Sequence, residues 1–149
     1  MAISDEHKDL AGYLEKAIKI IDKMGMRILE FQKQSVKIML PKEPNINHVG
    51  TVYAGSLFSL ADFEGGVLFF SAFDLRKYYP LLKEVTITFR RPATTDLTVE
   101  TSMPPEQAER IKKIADETGK ADWTLDLEVK DEQGNVCCIA HANLQMRRS

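Results

Sequence analysis

Asp62 and Glu64 stand inside the longest apolar stretch of the chain, Val52 to Phe73, where an ionised carboxylate is costly to hold. A carboxylate so placed is hydrogen-bonded, paired or functional. The chemistry it offers is that of a general base drawing a proton from water, or of a nucleophile forming a mixed anhydride with a carbonyl. In a helix two residues turn through about 200°, so the two carboxylates face opposite ways and cannot act as a close pair. One of them should be structural. Asp62 shares a face with Gly55 and Ser59, which favours it; Glu64 is the rival. The plain alternative for Asp62 is a residue that points at solvent or at a salt bridge between subunits.

An acyl-transfer site also needs donors for the oxyanion that develops. A helix beginning near Val52 supplies them, because its first N–H groups lack partners and lie at the positive end of the dipole. Val52 to Gly55 fall there, and Gly55 has no side chain to keep a ligand away from the backbone. Tyr53 is expected in the core, the other possibility being a contact through its hydroxyl. Arg90 and Arg91 follow a strand and suit phosphate groups such as those of coenzyme A, unless they are only a solvated strand end. Gly65-Gly66 costs a helix roughly 1 kcal/mol per glycine. Close approach by a partner subunit or an acyl chain would offset that; a simple kink is the alternative. Phe69, Phe70 and Phe73 read as core, with an acyl pocket as the other use. Ser56 lacks the Gly-x-Ser-x-Gly setting of a serine nucleophile. His7 and His141 lie in unrelated segments, and the pattern shows neither a metal cluster nor a glycine-rich phosphate loop.

These groups need elements to hold them. Ser4 can cap a first helix with Asp5 and Glu6 in its opening turn, and Leu10, Leu14, Ala17, Ile18, Ile21 and Met24 continue it to Gly25. Strands are expected at Met26–Phe31 and Ser35–Leu40, then a loop from Pro41 to Asn47. The central helix, about Val52 to Phe73, is apolar nearly all round and should be enclosed by its surroundings. Val85–Phe89 and Leu97–Thr101 read as strands flanking a turn at Arg91–Asp96. A short helix, about Pro105 to Glu117, ends at Gly119. Alternation from Trp123 to Val129, a hairpin turn at Asp131–Asn135 and a strand from Val136 to about Met146 complete the chain. Short connections among the later strands predict an antiparallel sheet. An α+β chain of one sheet and one long buried helix follows.

With 149 residues the chain is one domain, 1–149, in which 1–25 forms a peripheral helix. A net charge of −2 and a pI near 5.9 argue against a nucleic-acid partner. Asp62 and Glu64 interrupt the apolar stretch, so no membrane span is read, and the N-terminus lacks a secretory pattern. Cys137 and Cys138 are neighbours and cannot staple distant segments; a cytoplasmic location fits.

The segment Asn47-His48-Val49-Gly50-Thr51-Val52-Tyr53-Ala54-Gly55-Ser56-Leu57-Phe58-Ser59-Leu60-Ala61-Asp62 resembles the signature of the hotdog-fold acyl-CoA thioesterases, in the phenylacetate-degradation subfamily. The resemblance extends over most of the chain after Met26, but only this window is specific. It implies the hotdog fold, a curved antiparallel sheet wrapped around one long helix, here with an extra N-terminal helix. It implies hydrolysis of an acyl-CoA or acyl-carrier thioester, with coenzyme A as part of the substrate and no other cofactor. It further implies a homodimer or a dimer of dimers in which Asn47 of one subunit meets the carboxylate Asp62 of the other. By the resemblance the backbone N–H near Ala54 would polarise the carbonyl, with Gly55 beside it; read from the residues themselves, Ser59, Arg90 and Arg91 are expected on the substrate and His48 beside Asn47 in the loop. One departure stands out: many relatives carry His-Gly-Gly where this chain has Tyr53-Ala54-Gly55. Two other readings belong to the same fold, an acyl-ligand binder without turnover and a hydratase or dehydratase. The hydratase is expected to place a His a few residues after the carboxylate, and none follows Asp62 before His141.

Overall fold

The computed structural model describes Ile3 and residues 5–149, with Glu6 as backbone alone. Ser4, the expected cap of the first helix, lies outside the described residues. The elements are α1 (Asp5–Ala17), α2 (Lys19–Met24), β1 (Arg27–Gln32), β2 (Ser35–Leu40), a single 3-10 turn (Glu43–Asn45) and α3 (Ala54–Ala72). They continue with β3 (Tyr78–Phe89), β4 (Leu97–Ser102), α4 (Pro105–Thr118), β5 (Lys120–Lys130) and β6 (Val136–Arg148). The strands form one six-stranded antiparallel sheet in the order β1-β2-β4-β5-β6-β3.

The sheet curves around α3, which touches β2, β3, β4 and β5. Leu60, Val67, Leu68 and Phe69 of α3 are wholly buried, and they meet a sheet face that includes Ile38, Leu40, Leu97, Leu127 and Ala140. The period of two is plain in β5: Ala121, Trp123, Leu127 and Val129 are buried, while Asp122, Thr124, Asp126 and Glu128 face outward. This is the antiparallel sheet around one helix that the sequence predicts.

Two connections differ from expectation. The first helix was expected to run unbroken to Met24, but Ile18 is extended (φ −106°, ψ 113°) and divides α1 from α2. Isoleucines at 18, 20 and 21 favour such a break, since β-branching restricts side-chain freedom in a helix. The bend lets Ile21 enter the core while Ile18 and Ile20 stay exposed. Gly25 ends α2 in the left-handed region at φ 77°, and its N–H donates to the Asp22 carbonyl at 3.0 Å. The second difference concerns β3 and β4. They are consecutive but do not pair: β3 lies against β6, and β4 lies between β2 and β5. The segment between them, through Arg90 and Arg91, therefore crosses from one side of α3 to the other. β3 also begins earlier than Val85 and takes in Pro80, which an edge strand tolerates because one side of it lacks a partner strand.

Candidate active site

The loop before α3 is built around its own asparagines. Asn45 is buried, and its Nδ2 donates to the carbonyls of Met24 and Pro41, both at 2.8 Å. Its own carbonyl accepts from the Tyr53 N–H at 2.8 Å. Asn47 closes the turn: its Nδ2 donates to Thr51 Oγ1 at 2.8 Å, and its Oδ1 accepts from the N–H groups of Val49 and Thr51. Gly50 makes that turn possible at φ 83°, where a side chain would be strained. The amide of Asn47 has two N–H groups, and only one of them donates among the described residues.

Tyr53 is the N-cap of α3, and its carbonyl accepts from the N–H groups of Ser56 and Leu57. The N–H groups of Ala54 and Gly55 make no hydrogen bond among the described residues. Both stand at the positive end of a helix of 19 residues. Ala54 lines a cleft of about 380 Å³ whose walls also include Asn47, Thr51, Phe89, Arg90 and Arg91, and Gly55 follows it in the chain. The two arginines are held by their backbone, since both N–H groups donate to the Cys137 carbonyl, and their side chains are exposed. The cleft thus brings together Asn47 and Ala54 with Arg90 and Arg91, from two separate parts of the chain.

Asp62 does not line this cleft in a single protomer. It lies two turns along α3 on a stripe with Ala54, Phe58 and Gly66 that the sheet leaves uncovered. Its carboxylate makes no hydrogen bond or ion pair among the described residues, and partial desolvation by burial raises its pKa. The residue surface is exposed even so. Desolvation of the carboxyl oxygens and exposure of the residue as a whole are compatible when one side alone is crowded. Ser59 does not offer its hydroxyl freely: Oγ donates back to the Gly55 carbonyl at 2.9 Å. His48 is exposed in the loop.

Glu64 faces the other way, into the sheet. It is completely buried, accepts from Thr101 Oγ1 at 2.6 Å through Oε2, and has no partner for Oε1. Burial raises its pKa well above the ordinary carboxylate range, and the nearby charge of Glu100 adds to the shift. Tyr53 corrects an expectation. It is 57% exposed rather than in the core, and its ring stands on Gly55. A Cβ at Gly55 would lie 2.3 Å from Tyr53 Cε2, so a side chain there would have to displace the exposed ring. Gly65 is also explained locally, because a Cβ there would press on Leu144 at 3.3 Å. A Cβ at Gly66 would meet open space on the uncovered stripe. Phe69 and Phe73 are core, and Phe70 is half-buried.

Residues 7–142 match the family described as "Putative thioesterase (yiiD_Cterm)". The chain belongs to this family. Among solved structures it is similar to a Pseudomonas aeruginosa protein of unknown function described as a probable thioesterase. The two are 36% identical, the TM-score is 0.91, and the match covers 100% of this chain and 99% of the other. A thioesterase from Haemophilus influenzae, at 13% identity, shares the fold with a TM-score of 0.72 over 95% of this chain and 90% of its own. No functionally curated protein matches the chain. The hotdog fold of these thioesterases is therefore the fold of this chain.

Within the thioesterase family, the chemistry open to the site rests on hydrogen-bond donors and carboxylates. Among the described residues no group of His, Cys, Asp and Glu could hold a metal ion. Burial pushes the Cys138 thiol up to about 11, which removes it as a nucleophile at neutral pH. No helix of the described residues is long and apolar enough to cross a membrane. Asn45 is the residue that sequence reading passes over. Its signal was only an asparagine after a proline in a loop, and its role as the anchor of the whole turn depends on contacts 21 residues away.

Proposed function

We propose that this thioesterase-family protein hydrolyses an acyl-CoA or acyl-carrier thioester, at a site completed by a second copy of the chain. The observation that carries the reading is the cleft lined together by Asn47, Arg90, Arg91 and Ala54, whose free N–H begins α3. Donors fixed before the reaction begins stabilise the oxyanion without reorganisation. The free N–H of Asn47 orients the carbonyl or the attacking water, and the guanidinium groups take the phosphates of the carrier arm. What one protomer lacks at this cleft is a carboxylate.

A second copy would supply it. Phe58 and Asp62 lie on the uncovered stripe of α3, and Gly66 leaves room there for close approach. Beside it β3, a twelve-residue edge strand, exposes Leu82 and Phe89. An edge of that length and apolar character favours pairing with another copy. Asp62 of that copy then acts as general base or nucleophile, and the partial burial that raises its pKa makes it a stronger proton acceptor than an ordinary carboxylate. Binding of an acyl ligand without turnover is the second reading, favoured by one observation: the Tyr53 ring stands on Gly55, next to the donors. Release of free thiol from a panel of acyl-CoAs separates the two. Hydrolysis gives stoichiometric thiol that the binder does not, and a panel without any release would leave only binding.

A further inference from the structure

Tyr53 occupies an unusual place for an exposed aromatic. Its backbone caps α3, while its ring folds back over the first turn of the same helix and rests on Gly55. The contact is close: a Cβ at Gly55 would stand 2.3 Å from Cε2, 2.9 Å from Cζ and 3.1 Å from Cδ2. Gly55 carries a free N–H at the start of α3, next to that of Ala54, which lines the cleft. Yet the ring is held loosely, with Tyr53 57% exposed and its hydroxyl without a hydrogen bond among the described residues. Exposed side chains change rotamer in picoseconds to nanoseconds, so such a ring is quick to move.

We propose that the Tyr53 ring is a displaceable cover on the carbonyl-binding donors: it rests on Gly55 in the free protein and turns outward when a thioester takes its place. The inference rests on the hydrolase reading for the identity of the ligand, but not for the existence of the cover. A carbonyl oxygen polarised by the first N–H groups must come within about 3 Å of them, and its carbon brings substituents into the space beside Gly55. Ring and acyl group compete for that space. The protein is thus divided between a covered state and a competent one, and apparent affinity is lowered by the fraction that is competent. Binding of the remote carrier arm at Arg90 and Arg91 offsets the displacement, which ties access at the donors to possession of that arm.

The test uses Tyr53→Ala, which removes the ring, and Tyr53→Phe, which keeps it. In the full-length protein, hydrogen exchange of the Gly55 amide by NMR should be faster in Tyr53→Ala than in wild type, with Tyr53→Phe matching wild type. Thermal midpoints of both variants establish that α3 is intact. With the acyl-CoA that wild type hydrolyses fastest, Tyr53→Ala should lower KM severalfold and move kcat less. Equal exchange in all three proteins would overturn the proposal, as would a KM that is unchanged or raised in Tyr53→Ala. Should wild type release no thiol from any acyl-CoA, the hydrolase reading falls, and the exchange comparison still decides whether the ring covers Gly55.

Discussion

Glu64 and Asp62 are two residues apart, yet their surroundings drive them to different chemistry. Glu64 is enclosed by the sheet and keeps its proton far above the usual carboxylate range, whereas Asp62 is only partly desolvated. Because the folded protein holds the Glu64 proton above the unfolded value of 4.5, it binds more protons than the unfolded chain in the window above that value. Stability therefore falls as pH rises through this window. Glu64→Gln removes the dependence, and its thermal midpoint should gain on wild type as pH is raised above about 4.5. A wild type that gains on the variant instead would mean that the buried carboxylate is ionised. In hydrolysis the order reverses: Asp62→Asn should lose most thiol release and Glu64→Gln should retain most of it. The opposite assignment of losses would place the chemistry at Glu64. That the two carboxylates face apart was legible from helical geometry, and so was the position of Gly55 near the free donors. The place of Tyr53 was not. Its size and apolar ring suggest core, but as the N-cap it lies before the first helical residue, and its ring turns onto a glycine that sequence alone assigns to a ligand.

α3 is the element on which the fold and the site both depend. Leu60 is wholly buried at its centre, so Leu60→Ala should cost about 2–5 kcal/mol, read as a lower thermal or denaturant midpoint. A midpoint indistinguishable from wild type would contradict the enclosure of this helix. A second set of contacts fastens the ends of three other elements. Tyr78 at the start of β3, Lys112 on α4 and Arg148 at the end of β6 all donate to Asp116 of α4. The hydrogen bond from Tyr78 leads, followed by that from Lys112, in holding the Asp116 carboxyl at about 2, below its ordinary 3.8. The stability it contributes is present above the unfolded value and is lost as pH falls through about 2. Asp116→Asn should therefore lower the midpoint at neutral pH, with a deficit that shrinks between about 4 and 2; a deficit independent of pH would exclude the charged network as its cause. Most elements were legible because period and turn chemistry are local: the alternation in β5, the hairpin at Asp131–Asn135 and the glycine ends of α2 and α4 all follow from neighbouring residues. The order of strands was not. β3 and β4 are separated by a short segment that looks like a turn, and only the requirement to enclose α3 from both sides sends them to different neighbours.

At the scale of the whole molecule, the protomer leaves unpartnered an edge strand, an apolar stripe on its central helix and a cleft without a carboxylate. One association would answer all three, and sedimentation at micromolar concentration should show a dimer or larger; monomer alone would end the shared-site account. The most direct measurement mixes two inactive variants. Asp62→Asn lacks the carboxylate and Asn47→Ala the loop amide, so each alone should release little thiol from an acyl-CoA. If a site takes Asn47 from one subunit and Asp62 from the other, a mixed dimer holds one site with both residues intact and one with neither. Half of the dimers in an equilibrated equimolar mixture are mixed, so thiol release should recover to about one quarter of the wild-type rate. Had both residues come from the same subunit, every site would lack one of them, and the mixture would stay as inactive as its components.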